Sequence, residues 1–137
     1  LTGAFNICRA AIDYLKASEH GRIISIASQA AFRGSVANCN YCAAKAGMVG
    51  MTYALARELG KYNITVNTVS PGRVMTELLD TYQSKAARAT EKWMEETPLG
   101  RFGSTQDIAD MVAYLASDKA SYITGANMNV NGGMLVG

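Results

Sequence analysis

The sequence predicts an α/β fold, a parallel sheet covered by helices on both faces. Helical and strand-like segments alternate along the chain. The strand-like segments are short β-branched runs, the pattern of strands buried on both faces. And 137 residues with 49% hydrophobic and 18% charged side chains supply apolar material for one core. No repeat, low-complexity tract or linker divides the chain, so residues 1–137 are expected to form one domain or part of one.

Ala4, Phe5, Ile7, Cys8, Ala10, Ala11, Ile12 and Leu15 share helical spacing with no capping residue before them, so the chain opens in a helix already under way. A polar stretch from Lys16 leads to Gly21, the usual way to leave a helix. Arg22–Ser28 is predicted to be a strand carrying Ile23, Ile24 and Ile26. Small residues follow to Asn38, and helical spacing runs from Tyr41 to Leu59, closed by Gly60 or Asn63 in the left-handed conformation. Ile64–Ser70 is a second strand, stopped by Pro71-Gly72. From Thr76 to Glu95 the pattern is amphipathic and loose; with Met75, Leu78, Leu79, Tyr82, Trp93 and Met94 it reads as a cover over something. A helix from Thr105 to Leu115 has Ser104 at its cap and Asp107 three positions on, and a last short strand lies within Gly125–Asn131. Three strands make a thin sheet for sequences that look doubly buried. An unpaired edge exposes backbone donors and acceptors, so more strands are expected than these residues supply.

Thirteen Lys and Arg against eleven Asp and Glu give a net charge of +2 with the basic residues scattered, which argues against a nucleic-acid partner. No apolar run approaches the roughly 18 residues that span a bilayer, and the first residues lack a signal-peptide pattern, so a cytoplasmic protein is expected. Three cysteines cannot form a closed disulfide framework, which fits a reducing compartment.

Three places could carry chemistry. Tyr41 and Lys45 stand four apart on one helix face, about 6 Å from each other. A phenol is a poor acid or base at neutral pH, and a positive charge close by favours its ionised form. Taken alone, the pair is as readily a surface contact. The helix it opens is rich in small residues (Ala43, Ala44, Ala46, Gly47, Gly50), which suits close approach of a neighbour. Ser28 closes the first strand, where parallel sheets place their ligands, and its hydroxyl could donate to an oxygen gaining negative charge; the plainer reading is a serine bonding its own turn. Pro71-Gly72 turns the chain at the same sheet edge, with Thr76 placed to offer a hydroxyl to an amide or phosphate, though an ordinary strand-to-helix turn needs the same residues.

Ser28, then Tyr41-x-x-x-Lys45, then Asn67-Thr-Val-Ser-Pro-Gly72 with Thr76, then Tyr122-Ile-Thr-Gly125 and Val130-Asn-Gly-Gly133 together resemble the carboxyl-terminal half of a short-chain dehydrogenase/reductase. Each motif is weak alone; the order and intervals make them specific, and they cover nearly the whole chain. The resemblance implies a Rossmann-like, doubly wound parallel sheet, here only its carboxyl-terminal half. It implies Tyr41 as acid/base, Lys45 assisting its ionisation and holding a nicotinamide ribose, and Ser28 positioning the substrate oxygen. Pro71, Gly72, Val74 and Thr76 would border the NAD or NADP cofactor together with Tyr41 and Lys45, and Ala30 and Asn38 would meet substrate beside Ser28 and Tyr41. The reaction would interconvert a secondary alcohol and a ketone, either a polyol or sugar or a 3-oxoacyl group on a carrier, with Arg33, Asn38 and Arg73 near the mouth. Homodimers or homotetramers are expected through the helix starting at Tyr41 and the first helix, a pairing that Met48, Met51, Thr52, Leu55 and Leu59 would support unless they are core.

The sequence departs from the family's pattern in having no G-x-G-x-x-G turn for the pyrophosphate. That turn and the family's catalytic Asn would fall before Leu1, so the chain is expected to be half of a longer protein and poorly folded alone. Two rival readings stand beside the enzyme. One is a non-catalytic binding or scaffold protein of the same fold. The other is a thiol redox protein built on Cys39-x-x-Cys42, which lacks a second pair for a zinc site and a strand leading straight into the motif.

Overall fold

The computed structural model describes residues 1–76 and 87–136. The elements are α1 (Thr2–Lys16), β1 (Arg22–Ile26), a short α2 (Ala30–Arg33), α3 (Cys39–Leu59), β2 (Thr65–Pro71), α4 (Ala87–Glu95), α5 (Thr105–Ala116) and β3 (Asn127–Val130). Among the described residues the strands form one parallel sheet in the order β1-β2-β3, with Val69 opposite Ile26 on one side and Met128 on the other. With helices flanking the sheet, this is a partial Rossmann-like fold.

The central strand shows why. Every residue of β2 from Thr65 to Ser70 is buried, and successive side chains serve opposite faces. Val66 joins Ala56, Leu59 and Ile64, against which Ile12 and Leu15 of α1, Ile23 and Leu55 pack. Val69 joins Leu115 and Ala120, with Ile24, Ile108, Met111 and Val112 around them. Each fully buried aliphatic side chain contributes about 1.5–3 kcal/mol. Three of the four buried polar side chains of β2 find partners, and only the Thr65 hydroxyl has none. Thr68 Oγ1 donates to Thr52 Oγ1 of α3 at 2.7 Å, and Ser70 Oγ to Asn127 Oδ1 of β3 at 2.6 Å. Asn67 Nδ2 donates to the Ile123 carbonyl at 2.7 Å while its Oδ1 accepts from Ala126 N–H at 3.0 Å. The Tyr122–Gly125 stretch completes this seam, since Thr124 Oγ1 accepts from Val66 N–H at 3.0 Å.

Several expectations need correction. Gly21 does not end α1 by a left-handed turn; α1 closes at Ala17 in the right-handed region. Gly21 is there because a Cβ would lie 2.7 Å from Ile64 Cγ1, so the chain must pass bare against that side chain. Asn63, by contrast, is left-handed as expected (φ 59°). β1 is not buried on both faces: it holds an outer position in the sheet, and Ile26 is 40% exposed. Pro71 belongs to β2 instead of stopping it, because proline loses only its N–H and the Pro71 carbonyl still accepts from Gln29 N–H at 3.1 Å. α3 starts at Cys39, two residues early. On the face given two readings, Thr52 and Leu59 are buried and Leu55 packs beside Leu59, as core residues do, while Met48 and Met51 are half-buried. Leu78, Leu79 and Tyr82 of the expected cover lie outside the described residues.

Candidate active site

Parallel strands end on the same edge, so the exits of β1 and β2 lie side by side. The chain beyond β1 stays on the ladder, with Ala27 N–H donating to the Val69 carbonyl at 2.8 Å. In the trans peptide between Ile26 and Ala27 the carbonyl opposes that N–H, so the Ile26 oxygen faces away from β2. Lys45 Nζ donates to it at 2.7 Å. This bond fastens the first turns of α3 to the tip of β1, and one turn back the Tyr41 ring centroid lies 5.7 Å from the same ammonium. Tyr41 is 44% exposed, so its phenol is open to solvent.

Ser28 follows two residues after Ile26. Its Oγ accepts from Ala30 N–H at 3.2 Å, the turn-bonding role, and a hydroxyl that accepts one bond keeps its own O–H to donate. Ser28, Gln29, Ala30 and Arg33 line one wall of a cleft of about 580 Å³, with Arg73 and Trp93 opposite. Tyr41 and Lys45 do not line it; they stand at the β1 tip beside it. Asn38, at the N-cap of α3, turns its amide into its own loop, donating to Ser35 Oγ and the Val36 carbonyl, both at 3.1 Å.

The loop after β2 is built for close packing. Gly72 N–H donates to the Val130 carbonyl at 3.0 Å, and a Cβ on Gly72 would sit 2.8 Å from Asn131 Cα. Val74 forms a bridge with Gly103, and Met75 N–H donates to the Gly103 carbonyl at 2.7 Å, so Thr76 leaves from a pinned position. Arg73 is not held out toward a ligand. Both Nη atoms donate to Glu96 Oε2 at 3.1 Å and its guanidinium lies 4.8 Å from the Trp93 ring, clamping the end of α4 over the β2 exit. Behind this loop a second cleft of about 440 Å³ contains the Arg101–Asp107 pair. The hydrogen bonds from Arg101, and then those from Ser104, hold the Asp107 carboxyl well below the usual carboxylate range.

The sequence reading missed Gln29, whose Oε1 is buried with no protein partner next to Ser28, and the Arg73–Trp93–Glu96 clamp. A polar residue among the small ones after Ser28 was the available signal for the first; nothing local announces the second. A half-exposed phenol, an ammonium at the strand tip and a pinned loop fit the nicotinamide end of a dinucleotide. The chain has no G-x-G-x-x-G turn for its pyrophosphate.

The fold is that of a partial Rossmann-like α/β protein, and comparison with known proteins narrows this. The family model described as enoyl-(acyl carrier protein) reductase matches residues 1–135, and the chain belongs to the short-chain dehydrogenase/reductase family. It is 43% identical over 136 residues to the 3-oxoacyl-(acyl-carrier-protein) reductase FabG of Rickettsia conorii, covering 99% of this chain and 55% of that protein. The proteins of the same name from Aquifex aeolicus and Staphylococcus aureus are 40% and 42% identical over 134 residues, covering 98% of this chain and 53% of each relative. The chain thus spans about half the length of these curated relatives. No helix among the described residues is long and apolar enough to cross a membrane.

Proposed function

We propose that this chain supplies the catalytic end of an NAD- or NADP-dependent oxidoreductase that interconverts a 3-oxoacyl group and its 3-hydroxyacyl alcohol. The observation that carries the reading is the attachment of Lys45 to the β1 tip with Tyr41 one turn away and Ser28 two residues beyond; the 40–43% identity to named 3-oxoacyl reductases supports the substrate class.

Ser28 donates its O–H to the substrate oxygen and holds it near Tyr41. In the reducing direction the Tyr41 phenol gives its proton to that oxygen as negative charge develops there, and the Lys45 ammonium stabilises the phenolate left behind. In the oxidising direction the Tyr41 phenolate takes the alcohol proton. Hydride acceptance or donation at the neighbouring carbon is what a nicotinamide nucleotide supplies when bound. Tyr41, Lys45, Pro71, Gly72, Val74 and Thr76 would hold its nicotinamide end, and Ala30 and Asn38 flank the substrate approach through their backbone positions.

The test uses purified protein containing this sequence, assayed by nicotinamide absorbance with a 3-oxoacyl thioester. Tyr41→Phe is expected to lower kcat about 10²- to 10⁴-fold, the usual worth of a general acid, with cofactor affinity retained. Unchanged turnover in Tyr41→Phe would overturn the role given to Tyr41, and no turnover in either protein would leave a non-catalytic binding protein of this fold.

One observation favours a second substrate class. The unpartnered Gln29 Oε1 in the Ser28 cleft is an acceptor awaiting a donor, as a polyol or sugar hydroxyl would provide. If that is its use, Gln29→Leu raises KM for a polyol and leaves KM for a 3-oxoacyl thioester unchanged; equal effects on both would discard it. Association into dimers or tetramers through α3 and α1 is also proposed, and the exposed apolar residues of α1 support it. None of the residues of α1 is buried, and Phe5, Ile7 and Tyr14 are exposed on it.

A further inference from the structure

Cys39 and Cys42 have no part in the proton relay, yet they bracket Tyr41 on the first turn of α3. Both are free thiols, Cys39 exposed at the first helical position and Cys42 half-buried. Both line the same open groove of about 370 Å³ between α2 and α3, whose other walls are small: Ala30, Ala31, Gly34 and Ala43 among them. The two cysteines therefore border one space wide enough for a small reagent. Positions three apart in an α-helix have Cα atoms about 5 Å apart, inside the roughly 4.4–6.8 Å that a disulfide spans. The Asn38 side chain is spent on Ser35 and Val36 and makes no capping bond to the first amides of α3, so a bridge across this turn would displace no side-chain cap.

We propose that Cys39 and Cys42 form a thiol–disulfide exchange site that low-molecular-weight disulfides of the glutathione type convert into an intramolecular bridge across the turn carrying Tyr41. The exposed Cys39 thiolate attacks one sulfur of the small disulfide, forming a mixed disulfide and expelling one thiolate. Cys42 thiolate then attacks Cys39 Sγ, closing the bridge and expelling the second thiolate. The two cysteines lose two electrons and two protons, and the small disulfide is reduced to two thiols. Nothing in this depends on the role proposed for Tyr41, and the readout below does not use turnover.

The experiment incubates the protein with oxidised glutathione, blocks remaining thiols with iodoacetamide and maps peptides by mass spectrometry. The expected result is a peptide containing residues 39–42 that is lighter by two hydrogens and unalkylated, restored by reductant, while Cys8 is still alkylated; burial pushes the Cys8 thiol up and Cys8 does not line the groove that Cys39 and Cys42 share. Cys42→Ser is expected to accumulate a lasting glutathione adduct on Cys39, since the resolving thiol is gone. Full alkylation of both cysteines after oxidation, or a lasting adduct on Cys39 in the unsubstituted protein without bridge closure, would overturn the proposal.

Discussion

At Ser104 the carboxylate of Asp107 reaches back to the backbone N–H at 2.6 Å while the serine hydroxyl accepts from Asp107 N–H at 3.0 Å, a reciprocal cap at the start of α5. Arg101 adds a bond to the same carboxylate at 3.0 Å. Because the folded state holds the Asp107 pKa below its unfolded value of about 3.9, its contribution to stability is fully present above about pH 4 and is lost as pH falls below it. Thermal melts of the protein and of Asp107→Asn should therefore differ at pH 7 and converge in the acid range; a gap that stays constant down to pH 2 would exclude the mechanism. The carboxylate is exposed, so added salt should narrow the gap too. The Ser104–Asp107 cap was readable in the sequence because its two partners lie three residues apart; the Arg101 bond, six residues away, was not. The same locality made Tyr41 and Lys45 visible as a pair. Their attachment to Ile26 was not, since it depends on a carbonyl 19 residues away, and the turning inward of Asn38 was decided by loop geometry rather than by residue type.

For whole elements, burial of polar side chains in β2 is the controlling feature. Asn67 fills two roles at once, bonding Ile123 and Ala126 in the segment that leads into β3. Asn67→Ala leaves two main-chain groups without those partners, at about 1–3 kcal/mol each. Urea titration should show a midpoint shift of that order; a loss below about 0.5 kcal/mol would mean the seam is held by the strand ladder alone. The strands and long helices were legible from apolar periodicity, and Ile64–Ser70 lies within one residue of β2 as observed. The four-residue α2 was not, because one helical turn leaves no periodic signature. β1 looked doubly buried because isoleucines mark strand character without revealing whether both faces are covered.

On the scale of the molecule, β1 and β3 each have a neighbour on one side only among the described residues, and α1 presents Phe5, Ile7 and Tyr14 outward, Ile7 at 72% exposure. Apolar surface of this kind favours association. Sedimentation velocity should show mass rising with concentration, and Ile7→Lys should lower it; a single-chain mass at all concentrations would remove the proposed assembly. Sequence periodicity identified which helices are amphipathic. Core and interface stripes obey the same spacing, so the sequence leaves the Thr52–Leu59 face open to either reading, and the Thr52–Thr68 bond and the packing of Leu59 with Ile64 account for the buried residues on it.

The Asn67 amide joins positions 56 and 59 residues apart. Closing a loop that long is entropically costly, so such contacts are disfavoured until the crossover that bridges them has already packed. The seam then acts as a latch rather than a seed: it slows escape from the native state more than it speeds arrival.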